Sequence, residues 1–254
     1  MERIETLFLG KDPRFYKELE STNKMLRTLL REEKCSEGLV VKADFQTAGR
    51  GQRNSEWISP EGDNLLMSLL LFPKFLRPEQ QFDLNKIVSL SILSLLENFG
   101  IEDVKVKWPN DVYVDNKKIS GILIENGLSG NTISESIVGV GLNVNTVVFP
   151  EKIKSKTCSI ASILGKRFDV NEILFQLIKN IEQYYLLLKA GKSNGIHKQF
   201  VDSMYGMNLQ RAYTLADGSA LEGIIIGLDE SGRLLVQVGD QIRHFRNKEL
   251  QFNY

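Results

Sequence analysis

The chain has few of the residues from which metal clusters and disulfide frameworks are built. Its 254 residues include only two cysteines and two histidines. Cys35 and Cys158 lie far apart and form no CxxC pair, which indicates a reducing compartment. His197 and His244 are equally isolated, without a second ligand at zinc spacing. The sequence therefore predicts neither a zinc cluster nor a disulfide scaffold.

Charge excess and long apolar runs are also missing. The 32 Lys and Arg residues balance the 32 Asp and Glu residues, whereas a dedicated nucleic-acid binder needs a basic excess or a basic stripe. The most apolar stretch, residues 65–75, contains Ser68, Pro73 and Lys74 and is shorter than the ~20 residues of a membrane span. Residues 1–5 lack the apolar core of a signal peptide. We expect a soluble protein of the cytoplasm that binds neither DNA nor a membrane.

Hydrophobic periodicity predicts an α+β main domain with a mixed or antiparallel sheet, followed by a small β module. The module begins where short strands and turns replace longer elements, and the predicted domains are residues 1–205 and 206–254. At about fifty residues, the module is expected to be a small barrel that leans on its neighbour. One predicted helix begins near residue 22, and three others cover residues 84–99, 171–188 and 196–204. The predicted strands of the main domain are residues 4–9, 38–46, 65–72, 104–108, 112–114, 118–125 and 136–144.

A polar loop at residues 48–56 carries the string Gly49-Arg50-Gly51. It has neither the Gly-Lys-Ser/Thr of a Walker A loop nor the third glycine of a dinucleotide-binding fingerprint. One interpretation is a mobile surface loop. The other is an arm that brings the Arg50 guanidinium to a phosphate of the substrate. Trp57, at the end of the loop, either covers an adenine or anchors the loop in the core.

Asn110 and Asp111 follow a proline at the end of a predicted strand. They form either a simple turn or an amide and carboxylate pair that holds a nucleoside or a cation. The glycines at 139 and 141 lie inside another predicted strand. They indicate either a bulge or the close approach of a ligand.

Lys118 lies near the start of an otherwise apolar strand. It is either a lysine at the edge of the sheet, with its ammonium in water, or a fixed positive charge for an anionic transition state. Strict alternation places Lys118 on the face of Ser120 and Ile122, and places Gly121 on the opposite face. A glycine in mid-strand often marks the close approach of a ligand or another backbone.

In this order and spacing, these segments resemble the biotin–protein ligase family over essentially the whole chain. The strings that carry the resemblance are Ser21-Thr22-Asn23, Gln46-Thr47-Ala48-Gly49-Arg50-Gly51, Lys107-Trp108-Pro109-Asn110-Asp111, Lys118-Ile119-Ser120-Gly121-Ile122-Leu123 and Gly139-Val140-Gly141-Leu142-Asn143. The terminal module, with Gly227-Leu228-Asp229 and Gly232-Arg233-Leu234-Leu235, is similar to the small barrel of that family.

The resemblance implies a class II synthetase-like catalytic domain and a C-terminal Src-homology-3-like β-barrel. It also implies an AMP-forming ligase that uses ATP, biotin and Mg²⁺. Such an enzyme makes biotinyl-5′-AMP and transfers the biotinyl group to a lysine of a biotin carboxyl carrier protein or domain. The same resemblance leaves the metal ligands, the identity of the carrier and the choice between monomer and homodimer open.

By resemblance, Lys118 and Arg50 are the catalytic residues, and closure of the loop at residues 48–56 shields the reactive adenylate from water. The residues implied to bind biotin are Ser21, Thr22, Asn23, Gln46, Gly49, Arg50, Gly51, Gln52, Lys118, Gly121 and Gly139. Those implied to bind ATP or the adenylate are Arg50, Arg53, Trp57, Asn110, Asp111, Lys118 and Asn143.

The sequence departs from the family pattern at Gln52, where many relatives have arginine, with Arg53 one position later. Some relatives also carry a helix-turn-helix repressor domain, for which the 20 residues before Ser21 are too few. A monofunctional ligase is therefore expected. The alternatives are a lipoate–protein ligase with the same adenylation chemistry, a biotin-binding scaffold without catalysis and, least favoured, a DNA-binding repressor.

Overall fold

A computed structural model describes residues 5–32, 34–52 and 56–253. Seven strands form a mixed sheet in the order β1-β2-β3-β7-β6-β5-β4, in which β1 and β2 are parallel and the other pairs are antiparallel. The strands are β1 (Pro13–Leu19), β2 (Val40–Gln46), β3 (Leu65–Leu71), β4 (Val104–Lys107), β5 (Asp111–Val114), β6 (Lys117–Ser129) and β7 (Thr132–Leu142).

Helices cover both faces of this sheet. The helices are α1 (Thr22–Glu32), α2 (Phe82–Asn98), α3 (Ile160–Leu164), α4 (Val170–Lys189) and α5 (Ser193–Asp202). Helix α1 packs over β2, β3 and β7, whereas α2 and α4 pack on each other and on the other face. Leu69 and Leu70 of β3 belong to separate core clusters, Leu70 with Leu26 of α1 and Leu69 with the α2 and α4 side chains. Because adjacent strand residues point to opposite faces, β3 is buried on both sides.

A second sheet completes the α+β architecture that the sequence predicts. It is antiparallel, with the order β11-β10-β9-β8-β12. Its strands are β8 (Gln210–Leu215), β9 (Ala220–Leu228), β10 (Leu234–Val238), β11 (Gln241–Phe245) and β12 (Leu250–Phe252). The strands are separated by turns, which include Asp217-Gly218, residues 230–232 and Gly239-Asp240. We call residues 206–253 the C-terminal module; its closure into a barrel and the boundary at 205/206 stay predictions.

Asp229 organises the turn between β9 and β10. Its carboxylate accepts hydrogen bonds from the backbone N–H of Ser231 and of Arg233, both at 3.0 Å, and lies 2.6 Å from Arg233 Nε and 3.1 Å from His244 Nδ1. Burial opposes the charged carboxylate, but the hydrogen bonds from Ser231, His244 and Arg233 outweigh it and hold the pKa of Asp229 below its ordinary range.

The prediction of a strand at residues 4–9 is wrong for its described part, residues 5–9, which form bends and turns. The backbone N–H groups of Leu7, Phe8 and Leu9 donate to the buried Glu182 carboxylate at 2.6–2.9 Å, not to a neighbouring strand. The first strand is instead β1, which occupies an edge of the sheet and is only partly buried. An edge strand tolerates the charged side chains that hide it from a hydrophobicity pattern.

Candidate active site

A cavity of about 350 Å³ lies beside the start of α1, between the large sheet and the C-terminal module. Residues 50–52 and 56–57 and strands β6 and β7 contribute to its walls. Thirteen of its lining residues were expected from sequence: Ser21, Thr22, Asn23, Gln46, Arg50, Gly51, Gln52, Trp57, Asn110, Asp111, Lys118, Gly121 and Gly139. Residues dispersed over more than a hundred positions of sequence therefore converge on one cavity.

One end of the cavity is a network of amides and hydroxyls. Gln46 Oε1 accepts hydrogen bonds from the Thr22 backbone N–H at 2.8 Å and from Thr22 Oγ1 at 3.1 Å. Ser68 Oγ lies 2.8 Å from Thr22 Oγ1 and 2.6 Å from Asn23 Oδ1. Because the Gln46 carbonyl oxygen is engaged by Thr22, its amide N–H groups remain for the cavity that Gln46 lines.

The Asn23 side chain is held from both sides. Its Nδ2 donates to Glu125 Oε2 at 2.8 Å and to the Leu123 carbonyl at 3.3 Å, while its Oδ1 faces Ser68. Arg27 of α1 lies 3.0 Å from the other oxygen of Glu125. These contacts fix the orientation of the amide, so Asn23 shapes the cavity wall through a position set by Ser68 and Glu125.

The glycines of β6 and β7 leave room for the indole of Trp57. Gly121 and Gly141 are register partners. A Cβ on Gly141 would lie 2.5 Å from Trp57 Cε2, and one on Gly121 would lie 3.1 Å from Trp57 Cζ3. The backbone N–H of Trp57 also donates to the Gly49 carbonyl at 2.9 Å. Glycines at these strand positions are thus explained by the close approach of a ring.

Lys118 projects into the cavity beside this indole. Its Nζ lies 2.7 Å from Asp111 Oδ1 and 5.6 Å from the centre of the Trp57 ring. A Cβ on Gly121 would lie 3.3 Å from the same ammonium. Lys118 and Gly121 therefore share a face.

The expectation from strict alternation, which put Lys118 with Ser120 and opposite Gly121, is wrong. Tyr113 pairs with Lys118 and Val112 pairs with Ser120, so Ile119 has no partner in β5. This extra residue is a β-bulge, which interrupts the alternation of side chains. As a result Ile119 is buried in the core while Lys118 points to the cavity.

Arg50 lies at the rim of the cavity. Its side chain is 65% exposed, and its guanidinium is 3.9 Å from Glu20. A Cβ on Gly49 would lie 2.5 Å from the Trp57 carbonyl oxygen, so the turn of the loop requires glycine there, although Gly49 itself does not line the cavity. Gln52 Oε1 accepts a hydrogen bond from Asn247 Nδ2 of the C-terminal module at 2.6 Å. Arg53 lies outside the described residues.

Two asparagines expected at the nucleotide differ in placement. Asn110 lines the cavity and donates from Nδ2 to the Ile122 carbonyl at 2.7 Å. Asn143 is buried away from it and donates to the Cys158 carbonyl at 3.0 Å. Its amide thus holds the segment after β7 in place, and Asn143 does not line the cavity.

Several residues of the site were not expected from sequence. Ser68, a single hydroxyl in the otherwise apolar strand β3, supports the wall through Thr22 and Asn23. Lys107, immediately before Trp108 and Pro109, lines the cavity. The C-terminal module contributes the lining residues Asn247, Leu250, Gln251 and Phe252. Trp108 ties the module to the site, because its Nε1 donates to the Gly232 carbonyl at 3.0 Å. Such long-range contacts leave no local signal in the sequence.

The described part of the chain contains no group of three or more His, Cys, Asp or Glu residues arranged to hold a metal ion. Among the helices of residues 5–32, 34–52 and 56–253, none has the length and hydropathy required to cross a bilayer.

The sequence profile of the biotin/lipoate A/B protein ligase family matches residues 15–143, which is just over half of the chain. The chain belongs to this family. The profile of the biotin protein ligase C-terminal domain also matches residues 213–246, within the C-terminal module of this ligase.

Relatives of the ligase place it in the biotin protein ligase branch. It is 33% identical over 206 residues to the biotin–[acetyl-CoA-carboxylase] ligase of Paracoccus denitrificans, covering 78% of this chain and 83% of that protein. It is 29% identical over 252 residues to the bifunctional ligase/repressor BirA of Bacillus subtilis, covering 98% of this chain and 76% of that protein. The solved biotin protein ligase from Aquifex aeolicus, in complex with biotin and ATP, is 32% identical with a TM-score of 0.80, covering 95% and 98% of the two chains.

Proposed function

We propose that this ligase activates biotin with ATP and transfers the biotinyl group to a lysine of a biotin carboxyl carrier protein or domain. In the first step a biotin carboxylate oxygen attacks the α-phosphorus of ATP, giving biotinyl-5′-AMP and pyrophosphate. In the second step the ε-amine of the acceptor lysine attacks the acyl carbon, giving the amide, AMP and a proton. The observation that carries the proposal is the polarity of this cavity: an amide and hydroxyl network at one end and the Lys118 ammonium at the other.

The network matches the chemistry of the vitamin. Ser21, Thr22 and Gln46 bind the ureido ring, whose carbonyl accepts and whose N–H groups donate hydrogen bonds. Asn23 supports this end through its fixed amide. Gly139 keeps the β7 wall open beside Asn23, because an added Cβ there would collide with the Asn23 side chain.

The cationic end of the cavity binds the two reacting anions, the biotin carboxylate and the α-phosphate. Joining a carboxylate to an α-phosphate requires positive charge against repulsion and against charge that develops on the phosphoryl oxygens. Lys118 stands between the two reacting groups under this proposal, and its ion pair with Asp111 holds the ammonium in place. Arg50 binds phosphate from the rim, where its exposed guanidinium is able to reach an incoming nucleotide.

The remaining contacts serve the adenylate. Trp57, packed on Gly121 and Gly141, stacks against the adenylate from this wall, and its buried Nε1 has no hydrogen-bond partner among the described residues. A buried donor of this kind is normally satisfied, so an acceptor on the bound ligand is expected opposite it. Gly49, Gly51 and Gln52 shape the loop that shields the anhydride from water.

Magnesium ions are held in nucleotide sites by one or two carboxylates together with substrate phosphates. Asp111 is a carboxylate in the right part of the cavity and Asn110 offers an amide next to it, so the residues fit an ion that arrives with ATP. When bound, Mg²⁺ would neutralise phosphate charge.

Four further expectations stay predictions: the cytoplasmic location, the absence of DNA binding, and roles for Arg53 and Asn143.

The proposal is tested by ATP–pyrophosphate exchange with biotin and lipoate measured side by side. Exchange that depends on biotin is expected. Exchange with lipoate alone would contradict the assignment of biotin as the substrate. Biotin binding without exchange would instead indicate a scaffold that lacks catalysis. Labelling of a purified biotin carboxyl carrier domain, with its acceptor lysine replaced by arginine as the control, tests the transfer step.

A further inference from the structure

Lys107 is surrounded by three aromatic rings. Its Nζ lies 5.0 Å from the centre of the Tyr113 ring, 5.8 Å from that of Tyr205 and 5.2 Å from that of Phe252. These distances are within the ≈ 6 Å over which an ammonium is attracted to the face of a ring. We call Tyr113, Tyr205 and Phe252 the aromatic cage. Lys107 and Phe252 both line the cavity.

The cage is assembled from three distant parts of the chain. Tyr113 belongs to β5, Tyr205 follows α5, and Phe252 belongs to β12 of the C-terminal module. The rings of Tyr113 and Tyr205 are 5.6 Å apart. The backbone N–H of Tyr205 donates to the Val106 carbonyl at 2.8 Å, which fixes this ring beside β4. The tertiary fold therefore brings the three rings together around Lys107.

The charged groups near Lys107 include two residues of the proposed adenylation site, Asp111 and Lys118. Asp111 is its cross-strand partner and also pairs with Lys118. Burial lowers the pKa of the Lys107 ammonium, the carboxylate of Asp111 opposes that change, and Lys118 and Lys156 add to it. A flexible lysine stem loses much rotamer freedom when it is fixed, so surrounding rings are an effective means of holding the charge in one place.

We propose that Tyr113, Tyr205 and Phe252 are positioning residues that hold the Lys107 ammonium as a fixed positive charge toward the nucleotide end of the cavity. Through Phe252 the C-terminal module then helps to set the affinity for ATP. This inference rests on the proposed function. A triphosphate carries much more negative charge than a biotin carboxylate, so misplacing Lys107 affects ATP more than biotin.

The first experiment compares Phe252→Leu with the wild-type ligase in pyrophosphate exchange. Removing the ring face while keeping apolar bulk is expected to raise the KM for ATP about fivefold, with the KM for biotin changed less than about twofold. Phe252→Tyr, which keeps the ring, restores the wild-type KM for ATP. Phe245→Leu is the matched control: Phe245 is a buried ring of the same module, but it lies over Arg243.

The second experiment asks whether Phe252 acts through Lys107. In a Lys107→Met background, Phe252→Leu is expected to have no further effect on the KM for ATP. Additive effects, equal changes in the two KM values, or a Phe245→Leu enzyme with the same change would show that Phe252 is merely structural and overturn the inference. If Phe252→Leu melts below the assay temperature, Tyr205→Leu removes a ring outside the five-stranded sheet and carries the same expectation.

The two failures are distinguishable. A wild-type chain that supports no biotin-dependent exchange contradicts the proposed function. A wild-type chain that exchanges normally, with a Phe252→Leu variant identical to it, contradicts the aromatic cage alone.

Discussion

Replacing Gly141 by alanine tests whether the Trp57 indole must lie flat on the sheet. The added Cβ would be 2.5 Å from Trp57 Cε2 and 2.8 Å from Cδ2 and Cζ2, where ordinary contact begins near 3.4 Å. The backbone itself accepts alanine, because the φ of Gly141 is not positive. The ring therefore has to retreat by about 1 Å, and a displacement of that size in a reaction centre costs on the order of 10²-fold in rate.

We expect Gly141→Ala to lower kcat/KM in biotin-dependent pyrophosphate exchange by about 10- to 100-fold, equivalent to about 1.4–2.7 kcal/mol of transition-state stabilisation. The unfolding temperature should fall by no more than about 4 °C, because the strand keeps its hydrogen bonds. A smaller ring leaves room for the methyl group, so the cost of Gly141→Ala should shrink in a Trp57→Phe background.

The matched control is Gly195→Ala. Gly195 lies in helix α5, and a Cβ there meets nothing within 4 Å. This substitution should leave exchange unchanged and stabilise the helix by about 0.5–1 kcal/mol. Exchange by Gly141→Ala at the wild-type rate would refute the placement of Trp57 over the glycines.

Three further results are expected. Lys118→Ala reduces pyrophosphate exchange by at least about 10²-fold with an unchanged unfolding temperature, because the fixed cation at the developing phosphoryl charge is lost; wild-type turnover would remove Lys118 from the mechanism. Ser68→Ala raises the KM for biotin by about tenfold and the KM for ATP little, because Thr22 and Asn23 lose their shared partner; equal changes would contradict this role. Asp229→Asn lowers the unfolding temperature at pH 7, and the deficit begins to shrink as the pH falls below about 4. The sign follows because the lowered pKa of Asp229 stabilises the fold fully above the pKa of the unfolded chain, and this stabilisation is lost as the pH falls through the pKa of the folded protein; a deficit that grows as the pH falls from 7 to 2 would exclude it.

Much of the fold is encoded in patterns that a single sequence displays. Helices α2 and α4 carry apolar residues at helical spacing on the side that becomes buried, and their observed bounds lie within two residues of the predicted ones. The turns of the C-terminal module contain glycines with positive φ, such as Gly218 and Gly239. These features are local, so the pattern and the structure agree.

The failures have equally physical causes. Strand β1 was not predicted from the sequence, because an edge strand has only one neighbour and retains charged side chains. Ser68 was not predicted because its hydroxyl has a role only in the folded protein, where α1 brings Thr22 and Asn23 into contact with it. Phe252 was not predicted because 144 residues lie between it and Lys107 in the sequence. In each case the deciding partner is distant along the chain.

The bulge at Ile119 has a consequence for comparing and engineering ligases of this type. The Lys118 amine shares a face with Gly121, although three positions separate them, because the bulge absorbs Ile119. Deleting Ile119 would leave a regular pleat in which Lys118 and Gly121 are two positions apart and still share that face, while the core would lose a buried isoleucine. A homologue that keeps the three-residue spacing but pairs without a bulge would conserve the lysine in an alignment yet turn its amine toward the opposite face of the sheet.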